Sequence, residues 1–242
     1  MIYLFLALVA GIHVACYGAY KDSPYEGFKL IRFFRELLIS ILIGTALLLF
    51  NPAVVNSEKK IIYFLLVLIT SRIITEMYKQ FIRVEDQKIY KIPSQVHLFK
   101  YIPQNKLQRL LLGSFVPVFL GIGTNLAITL PSYFTNYESS IFIGLLAGFL
   151  IALGGGYKDG FFEGFDHLKF FRSPIITALA ALFLSTKTSN PLLLFFASMG
   201  LERMIVEFYK GFIKAGYVPG KFKTNKPRYT EWVTKRKLFI FP

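Results

Sequence analysis

A chain of 242 residues that is 54% hydrophobic and 17% aromatic, with a mean hydropathy of +0.51, is more apolar than an ordinary soluble domain. Its formal net charge is +14, from 28 Lys and Arg against 14 Asp and Glu. The single cysteine, Cys16, excludes an internal disulfide framework and a cysteine-based zinc site, and within its apolar run it reads as a small packed residue.

The apolar runs predict an all-α, polytopic membrane protein with about seven transmembrane helices, because roughly 20 mostly apolar residues carry a helix across the hydrocarbon. The predicted spans are 1–19, 36–55, 61–80, 111–130, 140–156, 173–186 and 191–209. The first has no basic segment ahead of it and is expected as a span, not as a cleaved leader. Pro174 stands at the start of the sixth, where its missing N–H does no harm. Four longer stretches, 20–35, 81–110, 157–172 and 210–242, fall on one side, and three turns near 56–60, 131–139 and 187–190 on the other. With Lys79 counted into the stretch beside it, 23 of the 28 Lys and Arg lie on the first side. Short basic loops stay in the cytoplasm, which puts the N-terminus outside and the C-terminus inside. A basic inner face in contact with anionic lipids also accounts for the net charge, and no nucleic-acid partner is expected.

Two stretches repeat. Gly18–Arg35, GAYKDSPYEGFKLIRFFR, and Gly155–Arg172, GGYKDGFFEGFDHLKFFR, agree at ten of eighteen positions without a gap. RIITEMYKQFIR (Arg72–Arg83) aligns with RMIVEFYKGFIK (Arg203–Lys214) in the same order, at an offset of 131 where the first match has 137. The expected organisation is a first three-helix repeat with its inner loop (1–100), a joiner helix (101–137), a second three-helix repeat (138–214) and a basic cytoplasmic tail (215–242). The period of four crossings is even, so the halves share one orientation, related by a pseudo-two-fold axis along the membrane normal. In plan this 3+1+3 parallel-repeat arrangement resembles the SWEET sugar transporters and the trimeric intracellular cation channels. The likeness is one of architecture: the proline tetrad and PQ-loop of the former are absent.

The repeated charges are the candidate binding or gating residues. Lys21, Asp22, Glu26 and Arg35 match Lys158, Asp159, Glu163 and Arg172. On a helix the two carboxylates of each motif share a face, with Gly27 or Gly164 marking the helix end. They either hold Mg²⁺ against a phosphorylated substrate, as in the aspartate-rich membrane prenyltransferases, or neutralise their own Lys and Arg. Arg72 with Glu76, and Arg203 with Glu207, are spaced i,i+4 inside apolar spans, where each charge costs roughly 2.5–3.5 kcal/mol on insertion scales. They line a functional interior or form self-neutralised pairs that lock helices. Single-copy features are Glu85-Asp86-Gln87 in the long loop, Thr124 and Asn125 in the joiner, and Gly144 with Gly148, which read as a helix-packing pattern. The three histidines show no metal-ligand spacing, and no cofactor is named by any motif. Three functions fit: a transporter or channel for an anionic or phosphorylated solute, an Mg²⁺-dependent enzyme acting on a lipid-linked phosphate, or a structural subunit of a membrane complex. Homo-oligomers and fixed membrane partners are compatible with each.

Overall fold

The computed structural model describes residues 1–50, 59–87, 90–130, 135–214, 218–219, 222 and 226–235. Most of the predicted turn at 56–60, part of that at 131–139, and Lys88, Lys221, Lys223, Arg236 and Lys237 lie outside the described residues. What is described is helical: α1 (Ile2–Glu26), α2 (Leu30–Phe50), α3 (Lys60–Met77), α4 (Lys106–Gly113), α5 (Phe115–Thr129), α6 (Asn136–Glu163), α7 (His167–Leu184), α8 (Pro191–Phe208) and the short α9 (Thr230–Thr234). α3 and α8 each run on into one wide π turn, Tyr78–Ile82 and Tyr209–Ile213. Among the described residues six segments are long and apolar enough to cross a membrane, α4 and α5 counting as one, which is the helix content of a multi-pass membrane protein. α8 is as long as α7 but carries Glu202, Arg203 and Glu207.

Local chemistry sets several of the starts. Asn105 caps α4 by accepting from Leu107 N at 2.8 Å, and Asp166 caps α7 by accepting from Lys169 N at 3.0 Å. Thr135 and Glu138 form a capping box on α6. Asn190 accepts from Leu192 N and Leu193 N, with Pro191 in the first turn of α8, where its missing N–H leaves no bond unmade.

The helix bounds correct the predicted spans. α1 and α6 continue through the repeated KDxxxE motif to Glu26 and Glu163, and α2 and α7 begin about six residues before their apolar runs. Hydropathy reads side chains, whereas the backbone ladder continues wherever charged side chains find partners. Gly27 (φ 79°, ψ 164°) and Gly164 (φ 82°, ψ 166°) end the two helices with nearly the same backbone, in a region that favours glycine. Pro174 is therefore not at a helix start. It lies two turns inside α7, where it removes one intrahelical bond. Cys16 is exposed on α1 rather than packed.

α6 packs on α7, and α1 on α2, through small residues. A Cβ on Gly144 would sit 2.5 Å from Thr177 O, and one on Gly148 would meet Pro174 and Thr177 Oγ1. On α1, a Cβ on Gly11 would sit 3.0 Å from Leu37 Cα and from Ser40 Cβ. Gly11, Leu37 and Ser40 precede Gly148, Pro174 and Thr177 by the same 137 residues. The third helices, α3 and α8, meet where a Cβ on Gly200 would lie 2.6 Å from Leu65 O. Around this contact lies one apolar core that includes Ala7, Ala10, Tyr63, Leu68, Ala147, Ala181 and Phe195.

Candidate functional site

Core and cavity divide the helices lengthwise. In α1, α3, α6 and α8 the core residues come first and the cavity residues after; in α2, α5 and α7 the order is reversed. At the far end from the core the helices enclose a cavity of about 1500 Å³. Eleven of the twelve candidate residues line it: Lys21, Asp22, Glu26, Arg35, Arg72, Glu76, Lys158, Asp159, Glu163, Arg172 and Arg203. The twelfth, Glu207, is 4% exposed and lies behind Arg72 and Arg203. Among the described residues fourteen Lys or Arg line the cavity against eight Asp or Glu, so this lining is cationic.

At the centre the two i,i+4 pairs behave differently. In α8, Arg203 Nε donates to Glu207 Oε1 at 3.1 Å, as the spacing predicts. In α3, Arg72 Nη2 donates not to Glu76 but to Glu207 of α8. The close approach of α3 and α8 at Gly200 brings these helices within reach of one another. Arg72 is 7% exposed and requires a counter-charge there. His13 Nε2 stands 3.8 Å from the same carboxylate. Glu76 is served instead by Lys79 Nζ at 3.1 Å and by Lys158 Nζ, from the second half, at 3.8 Å.

The repeated motifs also diverge. In the first, Lys21 Nζ lies 3.8 Å from Asp22, and Glu26 Oε2 accepts from Arg32 at 2.5 Å and Lys29 at 3.1 Å. Arg35 reaches Glu36 at 2.5 Å, and Glu36 accepts from Thr75 Oγ1 at 3.0 Å. In the second, Lys169 donates to Asp159, Glu163 is exposed at the end of α6, and Ser173 Oγ donates to Glu202 at 2.7 Å. Glu36 and Glu202, 8% and 1% exposed, are buried acids outside the repeated KDxxxE motif and the i,i+4 pairs. Superposing the repeats marks both: an acid faces serine at 36 and 173, and serine faces an acid at 71 and 202. Ser71 in turn shares a hydrogen bond with Ser40 at 3.0 Å. Among the described residues no three His, Cys, Asp or Glu side chains gather as a metal site. Asp22, Glu26 and Asp159 each face a cation.

The long loop closes one flank of the cavity. Glu85 bridges Arg83 (2.5 Å) and Arg32 (3.4 Å), while Gln87 Oε1 accepts from Ser94 N and Gln95 N. His97, 2% exposed, stacks on Tyr157 at 5.3 Å, with Phe161 and Phe162 edge-on. Phe222 of the tail stacks on Tyr25 at 4.7 Å and meets Tyr90 edge-on, so this part of the tail returns to α1. Burial, with the Glu26 and Glu85 carboxylates near by, pushes the Tyr90 phenol up from its ordinary value, and it stays a neutral donor at physiological pH. Glu85 and Gln87 thus serve the loop's own structure. Thr124 returns its hydroxyl to Leu120 O at 2.6 Å, and Asn125 is exposed on α5. Among the described residues neither bonds across helices. Comparison with protein-family models, with curated proteins and with solved structures finds no match to this chain.

Proposed function

We propose that the chain is an integral membrane transporter or channel for an anionic or phosphorylated small solute. In this reading it has seven spans in a 3+1+3 parallel-repeat arrangement, N-terminus outside and C-terminus inside. The observation that carries the reading is the cationic cavity, lined by the repeated charges of both halves. A cationic vestibule with apolar walls concentrates anions and raises their capture rate. The alternation of core-first and cavity-first helices supports an even period and halves of one orientation. The matched glycine ends, small-residue contacts and π turns support the repeat. The basic stretches gather at the cavity end, which under the positive-inside rule is the cytoplasmic end.

Apolar lining residues such as Val116, Leu120 and Leu150 favour one second reading, an enzyme acting on a lipid-linked phosphate. The two separate in one experiment. Purified protein in liposomes is given labelled phosphate, sugar phosphates and a lipid phosphate, with and without Mg²⁺. Uptake of an intact anion supports transport. Mg²⁺-dependent release of phosphate from the lipid without uptake supports the enzyme. Neither activity, together with fixed partners that copurify, points to a structural subunit.

A further inference from the structure

Among the described residues six arginines line the cavity, and five of them hold a carboxylate. Arg32 has Glu26 at 2.5 Å, Arg35 has Glu36 at 2.5 Å, Arg83 has Glu85 at 2.5 Å, Arg203 has Glu207 at 3.1 Å, and Arg72 shares Glu207. Arg172 has no ion-pair partner among the described residues, and its partly buried guanidinium leaves Nε without a hydrogen bond. The cause is one substitution between the repeats. Where the first half has Glu36 beside Arg35, the second has Ser173 beside Arg172, and Ser173 gives its hydroxyl to Glu202. The repeat therefore neutralises its last arginine in one half and exposes it to the cavity in the other.

The surroundings of Arg172 are cationic as well. Lys169 lies three residues earlier on α7, on the same face, and Lys210 comes in from the π turn after α8. Lys210 stands in the field of Arg203, Arg172 and Lys169, with Asp159 opposing. Burial and the neighbouring cations push the Lys210 ammonium down to about 7, so it is only partly charged near neutrality and takes up its full charge when an anion enters. A planar guanidinium offers paired N–H donors to two oxygens of one phosphoryl group, and lysines add point charges to the remainder. A phosphoryl dianion presents two oxygens to the guanidinium and a third to the lysines, whereas a carboxylate bound by the guanidinium has no third oxygen for them.

Resting on the transport reading above, we infer that the second half alone holds the anion subsite, with Arg172 as its anchor and a phosphoryl dianion as its ligand. The first half's matching position is closed by Glu36. One subsite per chain follows, in spite of the duplicated sequence.

The test uses full-length protein in neutral phosphatidylcholine nanodiscs and titrates inorganic phosphate, glycerol phosphate, short-chain phosphatidic acid and acetate by calorimetry. The expected result is one phosphate per chain, acetate at least tenfold weaker, and a loss of tenfold or more in Arg172→Gln with an unchanged or raised melting temperature. Glu36→Gln keeps the acceptor for Thr75 and releases Arg35, so it is expected to raise the stoichiometry towards two. Tight binding of the soluble phosphates assigns the subsite to a free solute, and tight binding of phosphatidic acid alone assigns it to a lipid headgroup. Phosphate binding within threefold of wild type in Arg172→Gln overturns the inference. If wild-type protein binds no phosphoryl anion yet carries another solute into liposomes, the subsite fails and transport stands. Phosphate binding without flux of any solute leaves the subsite and removes the transport reading.

Discussion

Replacing Glu207 by glutamine is the severest single test of the central charge cluster. The side chain keeps its shape and loses its charge, so Arg72 remains at 7% exposure with no carboxylate, and Arg203 loses its partner at 3.1 Å. Removing one member of a buried pair costs about 3–5 kcal/mol, because an uncompensated charge stays inside. At this chain length about 1 kcal/mol moves the melting temperature by about 2–4 °C. Glu207→Gln should therefore melt about 10 °C lower or more, in a thermal melt of the detergent-purified protein. Glu76→Gln removes contacts at 3.1 and 3.8 Å from a carboxylate whose side chain is 33% exposed, and solvent screens those contacts. Its cost should be about 1 kcal/mol or less, a shift of only a few degrees. Adding Arg72→Gln to Glu207→Gln should recover part of the loss, since the stranded charge goes with its partner. Equal destabilisation by the two glutamine variants would refute the cross-half pairing of Arg72 and restore two equivalent i,i+4 pairs.

Two further outcomes follow from packing and topology. Gly144→Ala places a methyl group 2.5 Å from Thr177 O and should destabilise by about 1–3 kcal/mol, whereas Gly121→Ala, with nothing within 4 Å, should be close to neutral in the same melt. In a Cys16→Ala background, a cysteine at Lys187 should label from outside intact cells with a membrane-impermeant maleimide, and one at Lys106 only after lysis; the reverse pattern would invert the proposed orientation.

Much of the fold is legible in the sequence because apolar length and small-residue spacing act locally. The membrane-length helices, the Gly144–Gly148 contact and the stops at Gly27 and Gly164 all belong to this kind. The helix ends are less legible, since Lys21 to Glu26 and Lys158 to Glu163 are polar yet helical: partners such as Arg32 and Lys169 come from the next helix. The candidate residues can be identified by repetition, but their pairing cannot. Spacing along α3 suggests Arg72 with Glu76, while the contact with Glu207 spans 135 residues and depends on how closely α3 meets α8. Glu36 and Glu202 escape a hydropathy reading because one stands at the edge of an apolar run and the other beside Arg203. Only the exchange of acid and serine between the repeats betrays them.

The helix contacts beyond the cavity bear on how any solute would pass. Where α1 meets α2 and α6 meets α7, Gly11, Gly144 and Gly148 lie against backbone or short side chains, while Gly44 lies against Ala7 and the Tyr63 ring of α3. At Gly11, Gly144 and Gly148 such a seam offers no bulky side chain to swing aside as a gate. It opens only if whole helices part, and motions of that size occupy microseconds to milliseconds. Under the proposed transport reading, a device built this way works by strokes, one solute to a cycle, and its throughput belongs to carriers and not to the continuous currents of a pore.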